Sequence, residues 1–399
     1  MATCAAVLTP PLVGAGMRMH WHDRLAQALL VVCCAALALF LIGPLAMILV
    51  KSVQDKDGAF IGLALFREYF ATPSLMQSIR NTLFVATTVT LITVPLAFTF
   101  AYALTRSCMP GKTAFRVIAL TPILAPSLMA AISFIQWFGT QGLLKGLLGG
   151  VSVYGPVGII LSSVYATFPH ALMIVLTALL LSDGRLYEAA ESLRTPTLRR
   201  FFTITLPGAK YGLVSATMVV FSYTVSDFGI PKVIGGNYNV LAVDIFKQVI
   251  GQQNFNKGAV VSLVLLLPVV FAFCVDWVMR RRLQAQFSSR AVPFVPKRSP
   301  GFDRAMFVYC CVVALFLLFI PGVNLVAFFL VNGYLLGREF FEFAAMRYRP
   351  PAEARLFRSK HASTVLLAGL LIAAFLAIPV VNLLTPLFAA GLMVHLHKA

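Results

Sequence analysis

Few side chains in this sequence have the types and spacing that chemistry needs. Gly111-Lys112-Thr113 has the ending of a phosphate-binding loop, but the first glycine that such a loop requires falls on Arg106. His395 and His397 stand two apart, as do His20 and His22, with no third ligand nearby, and both pairs read as chance neighbours. His170 follows Pro169 inside an apolar run and reads as a packed or cavity residue. The seven cysteines form no C-x-x-C and lie mostly in apolar stretches, as small core side chains do. No nucleophile has a base within reach of argument, so an enzyme reading has no support and neither metal nor cofactor is expected. Asp276, four residues before Arg280, is placed for a helical ion pair. Asp227 has two readings: it lines a polar path for an anionic or zwitterionic solute, or it caps a short helix before Gly229 and Pro231. The densest pattern runs from Tyr187-Glu188-Ala189-Ala190 to Ile204-Thr205-Leu206-Pro207. The alanines beside Glu188 favour a short helix with a small-residue face, and Pro207 is expected to stop it. Such a helix can seat in the groove of a partner and transmit its movement.

The elements that must position these residues are membrane spans. Apolar residues make up 59% of the 399-residue chain and charged residues 12%, against roughly 25% charged in soluble domains. Mean hydropathy is +0.88. Six stretches have the length of about 20 residues that a crossing helix needs: 27–50, 82–104, 116–137, 157–181, 213–231 and 258–279. The first reads as an uncleaved span. The net charge of +18 sits in short segments between apolar runs, which speaks for topology and against nucleic-acid binding. A cytoplasmic N-terminus places 17 basic residues in inner segments and 8 in outer loops, so that orientation is expected. The loop 182–212, with the Glu188 pattern, is then cytoplasmic.

The last hundred residues differ. Residues 306–337 form one apolar stretch of 32, about 48 Å as a helix against a core of about 30 Å. Pro321-Gly322 falls near its middle, and six basic residues follow within 338–362. A hairpin of two half-membrane helices is expected, its bend buried in protein or lining water. Ile320-Pro321-Gly322-Val323-Asn324-Leu325 recurs as Ile378-Pro379-Val380-Val381-Asn382-Leu383, inside the apolar run 364–396, so a second Pro-broken hairpin is expected there. Asn324 and Asn382 either line a polar path or cap the second helix of each hairpin.

The 187–207 pattern resembles the signature E-A-A-x3-G-x9-I-x-L-P of ABC-importer permease subunits. That resemblance implies a coupling helix that docks on a separate ATPase subunit through Glu188, Ala189, Ala190, Ile204, Leu206 and Pro207. Arg194 stands where the signature has glycine, which puts the usual turn in question and leaves Arg194 to meet an acidic patch on the partner. Ser226-Asp227-Phe228-Gly229-Ile230-Pro231 and Gln248-Val249-Ile250-Gly251-Gln252-Gln253 resemble permeases assigned to 2-aminoethylphosphonate, over about residues 20–315. The family implies an all-α polytopic protein of the type I importer kind in the bacterial inner membrane. It further implies an ATPase, a periplasmic solute-binding protein, surrounding membrane lipid, and a second permease half or a second copy. From about residue 318, Asn332-Gly333-Tyr334-Leu335-Leu336-Gly337 and Pro350-Pro351-Ala352-Glu353 resemble the C-terminal half of CysZ-like sulfate transport proteins. The expected organisation is a cytoplasmic segment 1–26, a permease domain 27–282, a basic linker 283–305 and a CysZ-like membrane segment 306–399. Two other readings stand beside the importer: an ATPase-independent anion channel on the C-terminal hairpins, and an inactive hybrid of two genes.

Overall fold

The computed structural model describes residues 21–124, 127–142, 144–148, 152–286, 292–376 and 381–398. Most of those residues are helical, and the extended pairing among them is one isolated bridge, Gln54 to Phe60. In chain order the principal helices are α1 Arg24–Ser52, α2 Pro73–Arg106, α3 Ser127–Phe138, α4 Pro156–Leu180, α5 Gly184–Ser192, α6 Thr197–Ser226 and α7 Phe255–Gln286. They are followed by α8 Pro300–Met346, α9 Pro351–Lys360, α10 Ala362–Leu376 and α11 Thr385–Lys398.

Six helices have the length and apolar character to cross a membrane: α1, α2, α4, α6, α7 and the Pro300–Leu318 part of α8. The expected spans at 27–50, 82–104, 157–181 and 258–279 fall on α1, α2, α4 and α7. The expected span 213–231 begins earlier, at Thr197, and its helix ends at Ser226, one residue before Asp227. The expected span 116–137 is not one helix. Its halves, Lys112–Ile123 and Ser127–Phe138, are bent by 98°. Pro122 lacks an N–H to donate and its ring crowds the preceding turn.

The core is built where α2, α4 and α6 pack on one another, with α7 against α6 and the first half of α8 against α2 and α3. Val89, Ala97, Phe100 and Ala101 of α2 and Ala171, Leu172 and Val175 of α4 are fully buried. Hydroxyls meet across this interface: Thr93 Oγ1 and Thr167 Oγ1 lie 3.3 Å apart, and Thr90 and Thr167 also bond their own helices. α1 leaves most of its apolar surface uncovered, as a helix facing lipid or a partner does, and only its end, Gly43–Ser52, packs on α7.

The first expected hairpin is overturned. Residues 306–337 lie within α8, one helix of 47 residues and about 70 Å. Proline removes a single i→i−4 bond, and in a long apolar run the remaining backbone bonds have no better partner than the helix. Pro95, Pro169 and Pro268 are carried inside α2, α4 and α7 in the same way. Where the second hairpin is expected, α10 and α11 pack on one another, with Phe375 and Phe388 stacked at 4.1 Å. Pro379 lies outside the described residues. The end of α8 closes against this pair through Phe341, Ala345, Ile372, Ala389 and Met393, a core separate from that of α2, α4 and α6. Gly333 and Gly337, one turn apart on α8, meet Gly369 of α10 so closely that a Cβ on Gly369 would lie 1.9 Å from the Gly333 carbonyl oxygen. This small-xxx-small contact is the packing by which helices associate in lipid.

Candidate functional site

The Glu188 pattern folds as the short helix α5, and each end has a physical cause. At its start Asp183 is the N-cap, its Oδ1 accepting from Arg185 N at 3.0 Å. At its end Arg194 N donates to Glu191 O at 2.8 Å and Thr195 N to Ala190 O at 2.9 Å. Those two bonds are a Schellman turn, and Arg194 occupies its left-handed position at φ 51°. The turn that glycine normally makes is therefore kept by Arg194. Pro207 does not stop α5, contrary to expectation. It sits in the first turn of the Leu206–Ser226 helix, directly after a π-helical segment, Phe201–Thr205, in which Leu206 N reaches back to Phe201 O. The missing N–H of proline and its crowding of the preceding turn favour that wider winding.

α5 presents one face and buries the other. Tyr187 and Ala190 are buried, whereas Glu188 and Ala189 are exposed. Tyr187 Oη donates to Thr205 Oγ1 at 2.9 Å and ties α5 to the start of α6. Ile204 and Leu206 are half-buried and Pro207 is exposed. Around the outer face Leu193 and Leu198 are 80% and 71% exposed, apolar area with no covering in the chain itself.

Arg106, the last residue of α2, anchors the arrangement from beneath. It is buried, donates from Nη2 to Leu179 O at 3.1 Å and bonds Ser182 Oγ. Its guanidinium lies 4.6 Å from the centre of the Tyr187 ring and 4.3 Å from that of Phe294. Phe294 belongs to an extended strap, residues 292–299, which crosses the base of α5. Gly184 N donates to Val292 O at 2.8 Å, Val292 N to Asp183 Oδ1 at 3.3 Å, and Lys297 Nζ pairs with Glu191 at 2.6 Å. The Lys297 hydrogen bond holds the Glu191 carboxyl below the usual carboxylate range. A Cβ on Gly184 would stand 3.1 Å from Phe294 Cα and from two strap carbonyl oxygens, so any side chain there crowds the strap backbone. This part of the expected basic linker is thus docked. Asp303 closes its far end, accepting from Ser299 N at 3.0 Å and from Cys108 N at 2.7 Å. Between α5, the strap and the ends of α2 and α6 lies a cavity of about 800 Å³.

Other expected site residues lie elsewhere. Asp227 Oδ1 accepts from Gly229 N at 3.1 Å and from Ser127 Oγ at 3.3 Å, which is the capping geometry, while its buried Oδ2 has no partner among the described residues. His170 packs its ring against Tyr223 at 5.2 Å. Asp276 pairs with Arg280 at 2.7 Å, as the spacing predicts. Asn382 is exposed on a single 3-10 turn, Val381–Leu384, and the side chain of Asn324 lies outside the described residues. Arg106 and Phe294 were not singled out by the pattern. Their available signals were a cation closing a span and an aromatic between Pro293 and Pro296, which hold the chain extended.

Residues 94–284 match the family described as "Binding-protein-dependent transport system inner membrane component". The chain is 31% identical over 183 residues to the molybdenum transport system permease protein of Azotobacter vinelandii, covering 44% of this chain and 80% of that one. It is 24% identical over 239 residues to a Salmonella typhi protein named for 2-aminoethylphosphonate transport, covering 57% and 82%. With the ferric transport system permease protein of Actinobacillus pleuropneumoniae it shares 25% over 213 residues, covering 51% of this chain. The match spans less than half the length of the ferric permeases, 31% in that case and 43% in the Haemophilus influenzae protein. Among solved structures, a chain of a bacterial alginate ABC transporter superposes with a TM-score of 0.52 at 15% identity, over 68% of this chain and 98% of that one. That likeness is one of fold.

Proposed function

The chain belongs to the family of binding-protein-dependent transport system inner membrane components, and from that premise we propose that it is the permease subunit of an ABC importer. α5 is its coupling helix. Glu188 and Ala189 face outward to an ATPase subunit, with Arg194 holding the turn beside them and Ile204, Leu206 and Pro207 carrying movement into α6. The observation that supports this reading is the division of α5 itself: Tyr187 and Ala190 are locked inward while a short acidic and apolar face stays uncovered. Exposed Leu193 and Leu198 extend that face, and burying such side chains is worth about 1.5–3 kcal/mol each. The N-terminus and the loops bearing the excess basic charge are cytoplasmic. A solute-binding protein delivers the solute on the other side, and a second permease half or a second copy completes the path.

The solute is a small anion or zwitterion, a phosphonate such as 2-aminoethylphosphonate being our first choice. Relatives named for ferric, molybdate/tungstate and spermidine/putrescine transport match this chain as well, so the choice rests on the 226–253 sequence resemblance. Asp227, at the break between α6 and the helix Gly229–Ile234, is the residue we place on the path. The segment 306–399, CysZ-like in sequence, is divided: Cys310, Ala314 and Leu317 pack in the permease core, and the part from Leu336 onward forms a second unit, supported by its separate core.

Co-purification tests the reading. The tagged full chain, expressed with a neighbouring ATPase subunit, is expected to retain it in mild detergent, and Glu188→Arg to lose it. A monodisperse parent chain that retains no ATPase sinks the importer reading in favour of a channel or an inactive hybrid.

A further inference from the structure

The cavity under α5 has an unusual charge state for its position. Four cations face it, Arg106, Arg200, Lys297 and Arg298, against two carboxylates, Glu188 and Glu191. Lys297 and Glu191 satisfy each other. Arg106 and Arg200 are different. Arg106 is more than nine-tenths buried, and the Nε of each guanidinium is buried without a hydrogen-bond partner among the described residues. Their Nη2 atoms are used elsewhere, on Leu179 O and Thr195 O. Neither guanidinium forms an ion pair among the described residues, and both line the cavity, so an anion held there balances charge that no carboxylate of the chain pairs.

The walls say what the rest of the ligand resembles. Phe201, Phe294 and Phe302 line the cavity with apolar and aromatic surface. Its depth is that of the bilayer surface, because Arg106 ends one span, Phe201 lies in the first turns of a second and Phe302 opens a third. Basic pockets between spans at this level are suited to lipid headgroups.

We propose that this cavity binds one phosphate-bearing anion, its phosphate at Arg106 and Arg200 and its apolar part against Phe201, Phe294 and Phe302. An acidic phospholipid and a free phosphate share that chemistry. The site stands apart from the coupling role of α5, since binding needs no ATPase.

The test uses the purified full chain, stripped of lipid, in native mass spectrometry with three probes: phosphatidylglycerol, phosphatidylcholine and inorganic phosphate. One phosphatidylglycerol held per chain, at least tenfold more tightly than phosphatidylcholine, is the expected result. Arg200→Gln should weaken it about tenfold or more, the worth of a charge-assisted hydrogen bond. Arg298→Gln, at an exposed position that the fold does not need, should weaken it about threefold. If millimolar inorganic phosphate displaces the lipid, the site is one for free phosphate; if it does not, the site is one for the lipid headgroup. Phosphatidylglycerol and inorganic phosphate both binding no better than phosphatidylcholine overturns the proposal. So does parent-like affinity in the two variants.

Discussion

The backbone N–H of Arg194 donates to the carbonyl of Glu191 at 2.8 Å while Arg194 sits at φ 51°. The turn that ends α5 is therefore set by its hydrogen bonds and not by the residue type that fills it. A side chain with a Cβ costs about 1–2 kcal/mol in this left-handed region, and the two bonds of the Schellman turn offset that cost.

Arg194→Gly should accordingly stabilise the chain by about 0.5–1 kcal/mol, the relief of strain less the greater freedom of glycine in the unfolded state. Arg194→Val should destabilise it by about 1 kcal/mol, because a β-branched residue tolerates positive φ least. Thermal unfolding of the two variants in the same detergent checks both signs. Equal midpoints would show that the turn opens in solution.

Gly184→Val should release the strap. Its Cβ meets three backbone atoms at 3.1 Å, and backbone cannot rotate away as a side chain can; crowding of this kind costs about 1–3 kcal/mol. Trypsin should then cut after Lys297 or Arg298 faster than in the parent chain, with cleavage elsewhere unchanged. An unchanged cleavage rate would mean that the strap is loose already.

What was legible in the sequence follows from how local each signal is. The spans and α5 were readable because apolar length and the run of small residues beside Glu188 act within one element. The breaks were misread where proline was given one meaning. At Pro122 it ends a helix, at Pro207 it follows a π-helical turn, and at Pro95, Pro169 and Pro268 it is absorbed within a span. Proline removes one bond in every case, and its neighbours decide whether the helix survives. Phe294 and Arg106 were illegible for another reason. They are 188 positions apart, and nothing local to either specifies that one ring and one guanidinium will stack.

The Lys297–Glu191 pair gives the strap a pH dependence with a definite sign. Glu191 is held below the usual carboxylate range by Lys297. Its contribution is thus complete above the unfolded value of about 4.3 and is lost as pH falls through the lower folded value. Hydrogen exchange of residues 293–299, corrected for intrinsic rates, should show loosening only in that acidic window. Lys297→Gln should remove most of the dependence, leaving the smaller part that Arg200 supplies. Loosening at neutral pH, or persistence of the whole dependence in the variant, would assign it to another group.

Leu193→Glu and Leu198→Glu should each weaken ATPase retention about tenfold or more, since each leucine is exposed in the free chain and its burial is worth at least 1.4 kcal/mol. Tyr187→Phe is the contrast. It removes the bond to Thr205 and about 1 kcal/mol of stability, but no exposed surface. Equal losses of retention in all three variants would place the effect in folding and not in docking.

Gly369→Val separates the two units of the chain. Its Cβ would lie 1.9 Å from the Gly333 carbonyl oxygen and 2.8 Å from Gly337 Cα, so α8 and α10 cannot keep their spacing. The core of Phe341, Ile372 and Met393 should open, and residues 338–362 should become susceptible to trypsin at Arg338, Arg347 and Arg358. The core of α2, α4 and α6 shares none of those side chains. ATPase retention through α5 should therefore persist at the level of the parent chain. Loss of retention together with the proteolytic opening would show that the two cores are coupled along α8, and that the segment after residue 318 supports the permease instead of merely following it.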